Sequence, residues 1–296
     1  MMQVLNGSLV ALVTPMLPNG DIDFITLDKI IDWHITEGTN GIVSVGTTGE
    51  SATVNFDEHI KIIKHTIDYV DGRIPVIAGT GANSTSEALD LTIEAKNVGA
   101  NYALIVTPYY NKPSQRGLIE HYTKIAESID IPQILYNVPS RTACDLLPSS
   151  VEVLSNHKNI IGIKEAVDDE DRMKDLIKIS LANKNFKIYS GDDPSFLKML
   201  ELGGHGVISV AANVVPKYIS EICSLYLGNK IKNAQLINAK LTKIYDLLFI
   251  QSNPIPVKWM MYKMGLIQNA LRLPLTELDE KYKEIIISEM LKLELL

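Results

Sequence analysis

The stretch Ile160-Ile161-Gly162-Ile163-Lys164-Glu165-Ala166 places one lysine in a run of apolar residues. Apolar runs of this length are typical of strands in parallel sheets, which are buried on both faces. A lysine is almost never buried without a partner or a chemical use. Burial disfavours the charged form of an amine, and an uncharged amine forms Schiff bases with carbonyl compounds. The alternative is a strand-end lysine that pairs with Glu165, Asp168 or Asp169.

Apolar runs of this kind recur along the chain and are separated by segments with helical periodicity. Eight runs are predicted to be strands, at residues 7–14, 41–46, 75–79, 102–107, 133–137, 160–164, 187–190 and 206–210. Two capping boxes, Asn55 with Glu58 and Ser84 with Glu87, have the spacing that begins a helix. Strands that alternate with helices indicate parallel βαβ units. Eight such units predict an α/β fold, the (β/α)₈ TIM barrel.

An open, doubly wound sheet is the competing fold. It normally carries a glycine-rich fingerprint directly after its first strand. Residues 13–16 read Val-Thr-Pro-Met, so that fingerprint is missing there. The barrel is therefore the fold that the sequence favours.

The alternation of strands and helices stops near Gly228. We expect residues 1–228 to form the barrel with the active site, and residues 229–296 to form a small C-terminal all-helical appendage. The segment Asn253-Pro-Ile-Pro256 interrupts these helices. Proline is favoured in the first turn of a helix, so Pro256 is expected to open a helix over residues 257–264.

Composition narrows the possible functions and the compartment. The chain has 296 residues, a net charge of −7 and a pI near 5.4, which argues against nucleic acid as the main partner. Two cysteines cannot form a disulfide framework. The N-terminus shows no secretory signal pattern, and no apolar run is long enough for a membrane span. A cytoplasmic protein is expected.

Polar residues that could take part in binding or catalysis follow the predicted strands. The C-terminal ends of barrel strands form the active site in this fold. Thr47 and Thr48 between glycines could hold a carboxylate, and tyrosines after the fourth and fifth strands could relay protons. Arg141 could clamp a carboxylate in bidentate fashion, with Lys164 as the nucleophile. The alternatives are a simple turn, core or interface tyrosines, and a solvated arginine.

Metal chemistry has weaker support in the sequence. The six histidines, at positions 34, 59, 65, 121, 157 and 205, show no standard ligand spacing. Asp192-Asp193 and the acidic run 168–171 could bind a divalent cation. A helix N-terminus or a solvated turn is the favoured explanation for both. No metal site is expected.

The motifs at these strand ends closely resemble those of the dihydrodipicolinate synthase family, within the N-acetylneuraminate lyase superfamily of Schiff-base aldolases. The matching segments are GTTGESAT at 46–53, TPYYNKP at 107–113, YNVPSR at 136–141, GIKEA at 162–166, SGDD at 190–193, GGHGVIS at 203–209 and NPIPVK at 253–258. The resemblance runs from about residue 7 into the C-terminal helices. It implies condensation of pyruvate with L-aspartate 4-semialdehyde to 4-hydroxy-tetrahydrodipicolinate, on the diaminopimelate route to lysine.

The resemblance also implies roles for individual residues. Lys164 would form the imine with pyruvate, and no added cofactor would be needed. The site residues implied by the family pattern are Thr47 and Thr48 for the pyruvate carboxylate, Gly191 and Ile208 as pocket walls, Tyr136, Thr48 and Tyr110 as a proton relay, and Arg141 for the carboxylate of the semialdehyde. In this family the tyrosine that matches Tyr110 usually comes from a neighbouring subunit. A dimer would then be the smallest active unit, and the resemblance favours a homotetramer built as a dimer of dimers.

Feedback inhibition by L-lysine is a further implication of the resemblance. The matching inhibitor-site positions are Ser51, Ala52, His59, Asn83, Glu87 and Tyr109. Phe56 stands where lysine-sensitive members often carry a histidine. The capping-box interpretation of Glu87 is the alternative to a ligand role.

Two other functions remain open at this stage. One is a different pyruvate-dependent aldolase, such as an N-acetylneuraminate or keto-deoxy sugar acid lyase. The threonines at 47 and 48 and the arginine at 141 favour the synthase pattern over that of the sialic-acid lyases. The other is a non-catalytic barrel that senses a small keto or amino acid.

Overall fold

A computed structural model describes residues 5–296 and contains a closed barrel of eight parallel strands. The strands are β1 (Gly7–Ala11), β2 (Gly41–Ser44), β3 (Val76–Gly79), β4 (Tyr102–Val106), β5 (Gln133–Asn137), β6 (Ile160–Glu165), β7 (Lys187–Ser190) and β8 (Gly206–Ser209). Each strand pairs with its sequence neighbours, and β8 pairs with β1 to close the barrel. The predicted TIM barrel is confirmed.

Helices surround the barrel and continue beyond it. They are α1 (Phe24–Thr36), α2 (Phe56–Val70), α3 (Thr85–Asn97), α4 (Gln115–Ser128), α5 (Pro139–Thr142), α6 (Pro148–Leu154), α7 (Glu170–Ala182), α8 (Phe196–Glu201), α9 (Pro216–Leu227), α10 (Ile231–Leu248), α11 (Ile255–Lys263) and α12 (Glu280–Lys292). One helix or helix pair follows each strand, so α1–α9 complete the eight units and α10–α12 form the expected C-terminal helices. Helix α11 begins at Ile255, one residue before the proline that was expected to open it.

Four strands, β1, β2, β4 and β8, end earlier than predicted, and beyond the ends of β1 and β8 polar side chains bind the backbone N–H groups. The Val13 N–H donates to Asn213 Oδ1 instead of to a neighbouring strand. The Val210 N–H likewise donates to the Asp193 carboxylate. Hydrophobicity alone cannot locate such ends, since the residues beyond them are just as buried.

One predicted capping box is present and the other is not. Asn55 Oδ1 accepts from the Glu58 N–H at 3.0 Å, and the Asn55 N–H donates back to Glu58 at 3.4 Å. The Ser84 hydroxyl lies 2.9 Å from that of Ser86 and does not cap α3, so the predicted Ser84–Glu87 box is wrong. The carboxylate of Glu87 is therefore not engaged in a cap.

The hydrophobic core has an inner and an outer layer. Leu9, Val43, Ile134 and Ile208 are among the side chains that fill the barrel interior. The outer layer lies between strands and helices, and on the β1 side it also contains C-terminal residues such as Trp259. Residues 229–296 thus pack on the barrel through a shared core. The division at residues 228 and 229 remains a prediction from the sequence.

A buried ion pair joins the C-terminal helices to the loop after β2. Lys258 and Glu50 are both fully buried, and Lys258 Nζ donates to the Glu50 carboxylate and to the Thr14 carbonyl oxygen. Burial lowers the pKa of Lys258, while the Glu50 charge opposes that effect. Arg272 adds two bonds to the Glu58 carboxylate, at 2.8 and 2.7 Å. These contacts fix the loop that carries the two predicted threonines.

Among the helices of residues 5–296, none combines the length and apolar character that a membrane crossing requires.

His34 provides a test of the packing around α1. Its ring is fully buried, with Nδ1 3.0 Å from the Thr39 hydroxyl, and burial lowers its pKa to about 3. The unfolded chain binds a proton near pH 6.5, so the folded state loses stability as the pH falls below that value. We expect His34 alone to reduce the free energy of unfolding by about 2 kcal/mol between pH 7 and pH 5.

Urea unfolding at the two pH values measures this effect. The variant His34→Gln should lose about that much of the pH dependence. Equal pH dependence in the two proteins would contradict the assignment.

Candidate active site

Lys164 projects into the barrel at the end of β6, beside Tyr136 of β5. The two residues are register partners on neighbouring strands, and Lys164 Nζ lies 4.2 Å from the centroid of the Tyr136 ring. The lysine is only 4% exposed. Within residues 5–296 it forms no ion pair or hydrogen bond. The alternative considered from the sequence, pairing with Glu165, Asp168 or Asp169, is therefore absent, and a buried amine remains available for chemistry.

Glu165 points to the opposite face of β6, because successive side chains of a strand alternate. Its carboxylate accepts from Arg172 Nε at 2.7 Å and from Asn137 Nδ2 at 3.1 Å. Burial raises the pKa of Glu165, although the Arg172 charge opposes the shift. Arg172 also pairs with Asp145 at 3.0 Å. This network ties β5 and β6 together directly behind Lys164.

A cavity of about 330 Å³ opens above Lys164 at the C-terminal ends of the strands. Its walls are Thr47, Thr48, Tyr136, Val138, Ser140, Arg141, Lys164, Ala166, Gly191, Asp192, Val210, Phe249, Ser252 and Asn253. Six residues predicted from the sequence therefore meet in one place: Thr47, Thr48, Tyr136, Arg141, Lys164 and Gly191. Within the described chain, the Arg141 side chain forms no hydrogen bond or ion pair. Its guanidinium is available to a ligand.

Two predicted residues lie outside this cavity wall. Ile208 is fully buried in the barrel interior, and Val210 occupies the wall near it. Tyr110 is 89% exposed, and its backbone adopts a positive φ of 75°. Its side chain therefore faces away from this chain's own Lys164 cavity.

Gly191 makes room for the lysine side chain. A Cβ atom at this position would lie 2.8 Å from Lys164 Cε and 2.9 Å from Lys164 Cγ. Both distances are shorter than side-chain carbons tolerate, so any larger residue must displace Lys164. The absence of a side chain at 191 thus sets the position of the amine.

The C-terminal segment contributes cavity residues that the sequence analysis missed. Phe249, Ser252 and Asn253 reach the site from the connection between α10 and α11. Asn253 Nδ2 donates to Thr48 Oγ1 at 3.0 Å, across 205 positions of sequence. The proline-rich break at 253–256 was the available signal, but a break in helical pattern does not reveal what the intervening residues touch.

A second cavity, of about 270 Å³, adjoins the first and shares Thr47, Val138 and Arg141 with it. Five of the six predicted inhibitor-site residues line it: Ser51, Ala52, His59, Glu87 and Tyr109. Asn83 lies outside the wall, and its backbone carbonyl accepts from Asn111. Burial and the nearby Glu87 charge raise the pKa of Tyr109. Phe56 also lines this cavity, so its side chain would touch a ligand there.

His59 lines the second cavity, and a hydrogen bond fixes the orientation of its ring. Its Nε2 lies 2.7 Å from the Gly79 carbonyl oxygen, and burial lowers the pKa of the imidazole. The contact with a carbonyl oxygen makes Nε2 the protonated nitrogen.

Within residues 5–296, no group of three or more histidine, cysteine or acidic side chains is arranged to hold a metal ion.

Substitution of Gly191 tests how the cavity positions Lys164. In Gly191→Ala the new Cβ must push the lysine chain aside, an overpacking cost of about 1–3 kcal/mol. We expect borohydride trapping of pyruvate on Lys164 to slow by about 10- to 100-fold. Mass spectrometry of the trapped protein measures this directly.

The matched control is Gly117→Ala on α4, where the added Cβ would meet Pro113 at an ordinary 3.4 Å. It should trap pyruvate at the wild-type rate. Unchanged trapping in Gly191→Ala would contradict the steric role of Gly191.

Comparison with known proteins agrees with this geometry. The model of the Dihydrodipicolinate synthetase family matches residues 4–292. A 4-hydroxy-tetrahydrodipicolinate synthase from Stutzerimonas stutzeri is 54% identical over 278 residues, 94% of each chain. A chloride-inhibited dihydrodipicolinate synthase from Acinetobacter baumannii, solved with pyruvate, superposes with a TM-score of 0.96 at 47% identity, covering 99% of this chain and 100% of its own.

A dihydrodipicolinate synthase from Cyanidioschyzon merolae, solved with lysine bound, has a TM-score of 0.94 at 31% identity and covers 98% of this chain and 99% of its own. The family model and these relatives extend over both the barrel and the C-terminal helices. The chain is therefore an enzyme of the lyase class and belongs to the Dihydrodipicolinate synthetase family.

Proposed function

We propose that this enzyme joins pyruvate to L-aspartate 4-semialdehyde through an imine on Lys164 and releases 4-hydroxy-tetrahydrodipicolinate. The observation that carries the proposal is the buried amine of Lys164, which has no carboxylate partner within residues 5–296 and lies in one cavity with the unengaged Arg141. An amine placed in this way is a nucleophile for a ketone. The imine itself serves as the electron sink, so we infer that no added cofactor takes part.

The reaction begins with attack of the Lys164 amine on the ketone carbon of pyruvate. Loss of water gives the imine, and loss of a methyl proton then gives an enamine. Thr47 and Thr48 hold the pyruvate carboxylate through hydroxyl and backbone N–H groups. The enamine carbon attacks the aldehyde of the second substrate, whose carboxylate is held by Arg141. The amino group of that substrate finally displaces Lys164 and closes the ring.

Protons move through a relay of hydroxyl groups. Tyr136 lies beside Lys164 and supplies or removes a proton at the reacting carbon and oxygen atoms. Thr48 connects it outward, since its Oγ1 accepts from Asn253 and keeps its own proton for donation. Thr47 lies on the boundary of both cavities and can take part in the same path. Tyr110 of a neighbouring subunit completes the relay.

The exposure of Tyr110 supports assembly of the site from more than one chain. Its ring is 89% exposed and so is available to an adjacent subunit. We propose a homotetramer, a dimer of dimers, as the working form. The free, buried cysteines Cys144 and Cys223 agree with a reducing compartment, and we propose the cytoplasm.

Two further readings of the same site make different predictions. A sugar-acid aldolase would also trap pyruvate on Lys164 but would not turn over the semialdehyde. A sensor would bind a keto or amino acid without forming the imine. Arg141 in the cavity favours an acidic second substrate, because it offers a bidentate contact to a carboxylate.

Turnover of pyruvate with L-aspartate 4-semialdehyde, coupled to a reductase that consumes the product, tests the proposal. We expect Lys164→Ala to lose activity by at least about 10³-fold, the scale of removing a catalytic nucleophile. The control is Lys178→Ala, a surface lysine on α7 with 74% side-chain exposure. It should retain full activity.

The wild-type result separates the alternatives. Trapping of pyruvate without turnover of the semialdehyde would point to another aldolase. Failure to trap pyruvate would point to a sensor. Equal activity of wild type and Lys164→Ala would remove Lys164 as the nucleophile.

We also propose that L-lysine inhibits the enzyme by binding in the second cavity. L-Lysine carries an α-ammonium group, an α-carboxylate and a cationic side chain. Glu87 lines the cavity, and its carboxylate is not used to cap α3. Ser51 and Tyr109 add hydroxyl groups to the wall. Thr47 and Arg141 belong to both cavities, so a ligand in one changes the surroundings of the other.

Removal of the Glu87 charge should weaken inhibition. In Glu87→Gln we expect the lysine concentration for half inhibition to rise by about tenfold or more, because a charge-assisted hydrogen bond is lost. Each variant is compared with its own uninhibited rate. Asp90→Asn, an exposed neighbour on α3, is the control and should retain wild-type inhibition. A wild-type rate that stays flat in millimolar lysine would refute the proposal.

A further inference from the structure

Asp192 is the one carboxylate among the residues that line the Lys164 cavity. It follows β7, whereas Arg141 belongs to the segment after β5, so the two charges enter the cavity from different strand ends. The mechanism above assigns no residue to the amino group of the second substrate. That amino group distinguishes the substrate from a simple aldehyde acid.

The Asp192 side chain is held by one of its oxygens and is free at the other. Oδ2 accepts from the Ser195 N–H at 3.0 Å and from the Ser195 hydroxyl at 2.6 Å. The backbone is also pinned, since the Asp192 N–H donates to Ser190 Oγ and the Asp192 carbonyl accepts from it. Oδ1 forms no hydrogen bond within residues 5–296. A prepositioned acceptor is thus left at the cavity wall.

The next residue shows what a purely structural aspartate looks like in this loop. Asp193 is 1% exposed, and its carboxylate accepts from the Ser209 hydroxyl and from the N–H groups of Val210 and Ala211. Both of its oxygens are therefore satisfied by the protein. Asp192 is half-buried and lines the cavity, and only one of its two carboxylate oxygens accepts a hydrogen bond.

We propose that Asp192 binds the ammonium group of L-aspartate 4-semialdehyde while Arg141 binds its carboxylate, a role that rests on the function proposed above. A substrate with both charges spans the two strand ends in a single orientation. That orientation brings its aldehyde to the enamine on Lys164. Partial burial and the nearby charge of Asp168 raise the pKa of Asp192, which agrees with a carboxylate that lacks a cation in the unliganded site.

The variant Asp192→Asn removes the charge and keeps the shape. Its amide oxygen still accepts from Ser195, so the loop is retained. We expect kcat/KM for L-aspartate 4-semialdehyde to fall by about 10- to 100-fold, the cost of losing a hydrogen bond between charged groups. The KM for pyruvate and the rate of borohydride trapping should remain within about twofold, because pyruvate carries no ammonium.

Succinic semialdehyde, which has the same chain without the amino group, is the second probe. Its inhibition constant against L-aspartate 4-semialdehyde should change by less than about threefold in Asp192→Asn. In Arg141→Ala, kcat/KM for L-aspartate 4-semialdehyde should fall and the inhibition constant of succinic semialdehyde should rise, because both compounds carry the carboxylate. Asp168→Asn, which alters a nearby exposed charge outside the cavity wall, should leave both at wild-type values.

Each outcome decides the matter. Selective loss on the aminated substrate supports the ammonium site. Equal loss on both probes assigns Asp192 to the loop or to the pyruvate half of the site and overturns the proposal, as does no loss at all. A wild-type enzyme that traps pyruvate but does not turn over the semialdehyde refutes the proposed function itself, and the Asp192 assignment falls with it.

Discussion

Side chains alternate between the two faces of a strand, and in β6 this alternation separates an adjacent lysine and glutamate. Lys164 enters the barrel, while Glu165 faces the helices and is neutralised there by Arg172. If the two side chains shared a face, the carboxylate could pair with the amine and occupy the space that a substrate needs. The closed parallel barrel imposes this separation, since its inner and outer faces are distinct environments. The reactivity of Lys164 therefore depends on the register of one strand.

The C-terminal helices complete the site that the barrel begins. Lys258 and Glu50 fix the loop after β2, and Asn253 bonds to Thr48 in that same loop. Phe249 and Ser252 add to the cavity wall. Breaking one member of a fully buried ion pair strands the other charge and costs about 3–5 kcal/mol. The helices beyond the barrel thus position substrate-binding groups as well as burying apolar surface.

The sequence predicted the barrel because its signals are local. Apolar runs such as the one around Lys164 mark strands, and caps such as Asn55 mark helix starts, without knowledge of the tertiary partners. Six cavity residues followed from the rule that barrel active sites lie at strand C-termini, combined with the family resemblance. Asp192 and Asn253 stood in motifs named from the sequence, but their places in the cavity were missed, because these depend on contacts with Ser195 and Thr48. Nothing in their local sequence distinguishes them from turn residues.

One wrong prediction and one rejected alternative have the same physical origin. Ser84 and Glu87 have the spacing of a capping box, yet the serine bonds to Ser86 and the glutamate turns to a cavity. Lys164 was given possible acidic partners by sequence proximity, yet strand alternation removes the nearest of them. Sequence spacing shows which residues can come into contact. Competition among hydrogen-bond and ion-pair partners in the fold determines which contacts form.

Two lysines are buried within residues 5–296, and their surroundings differ. Lys258 is fully buried and held by Glu50 and by the Thr14 carbonyl oxygen, so its charge is compensated on the spot. Lys164 has an aromatic ring beside it and space left by Gly191, and no acidic side chain of the described residues pairs with it. Replacing the surroundings of one by those of the other would exchange a structural cation for a nucleophile. The chemistry of a lysine in this fold is therefore set by the partners that the barrel admits or excludes, rather than by burial alone.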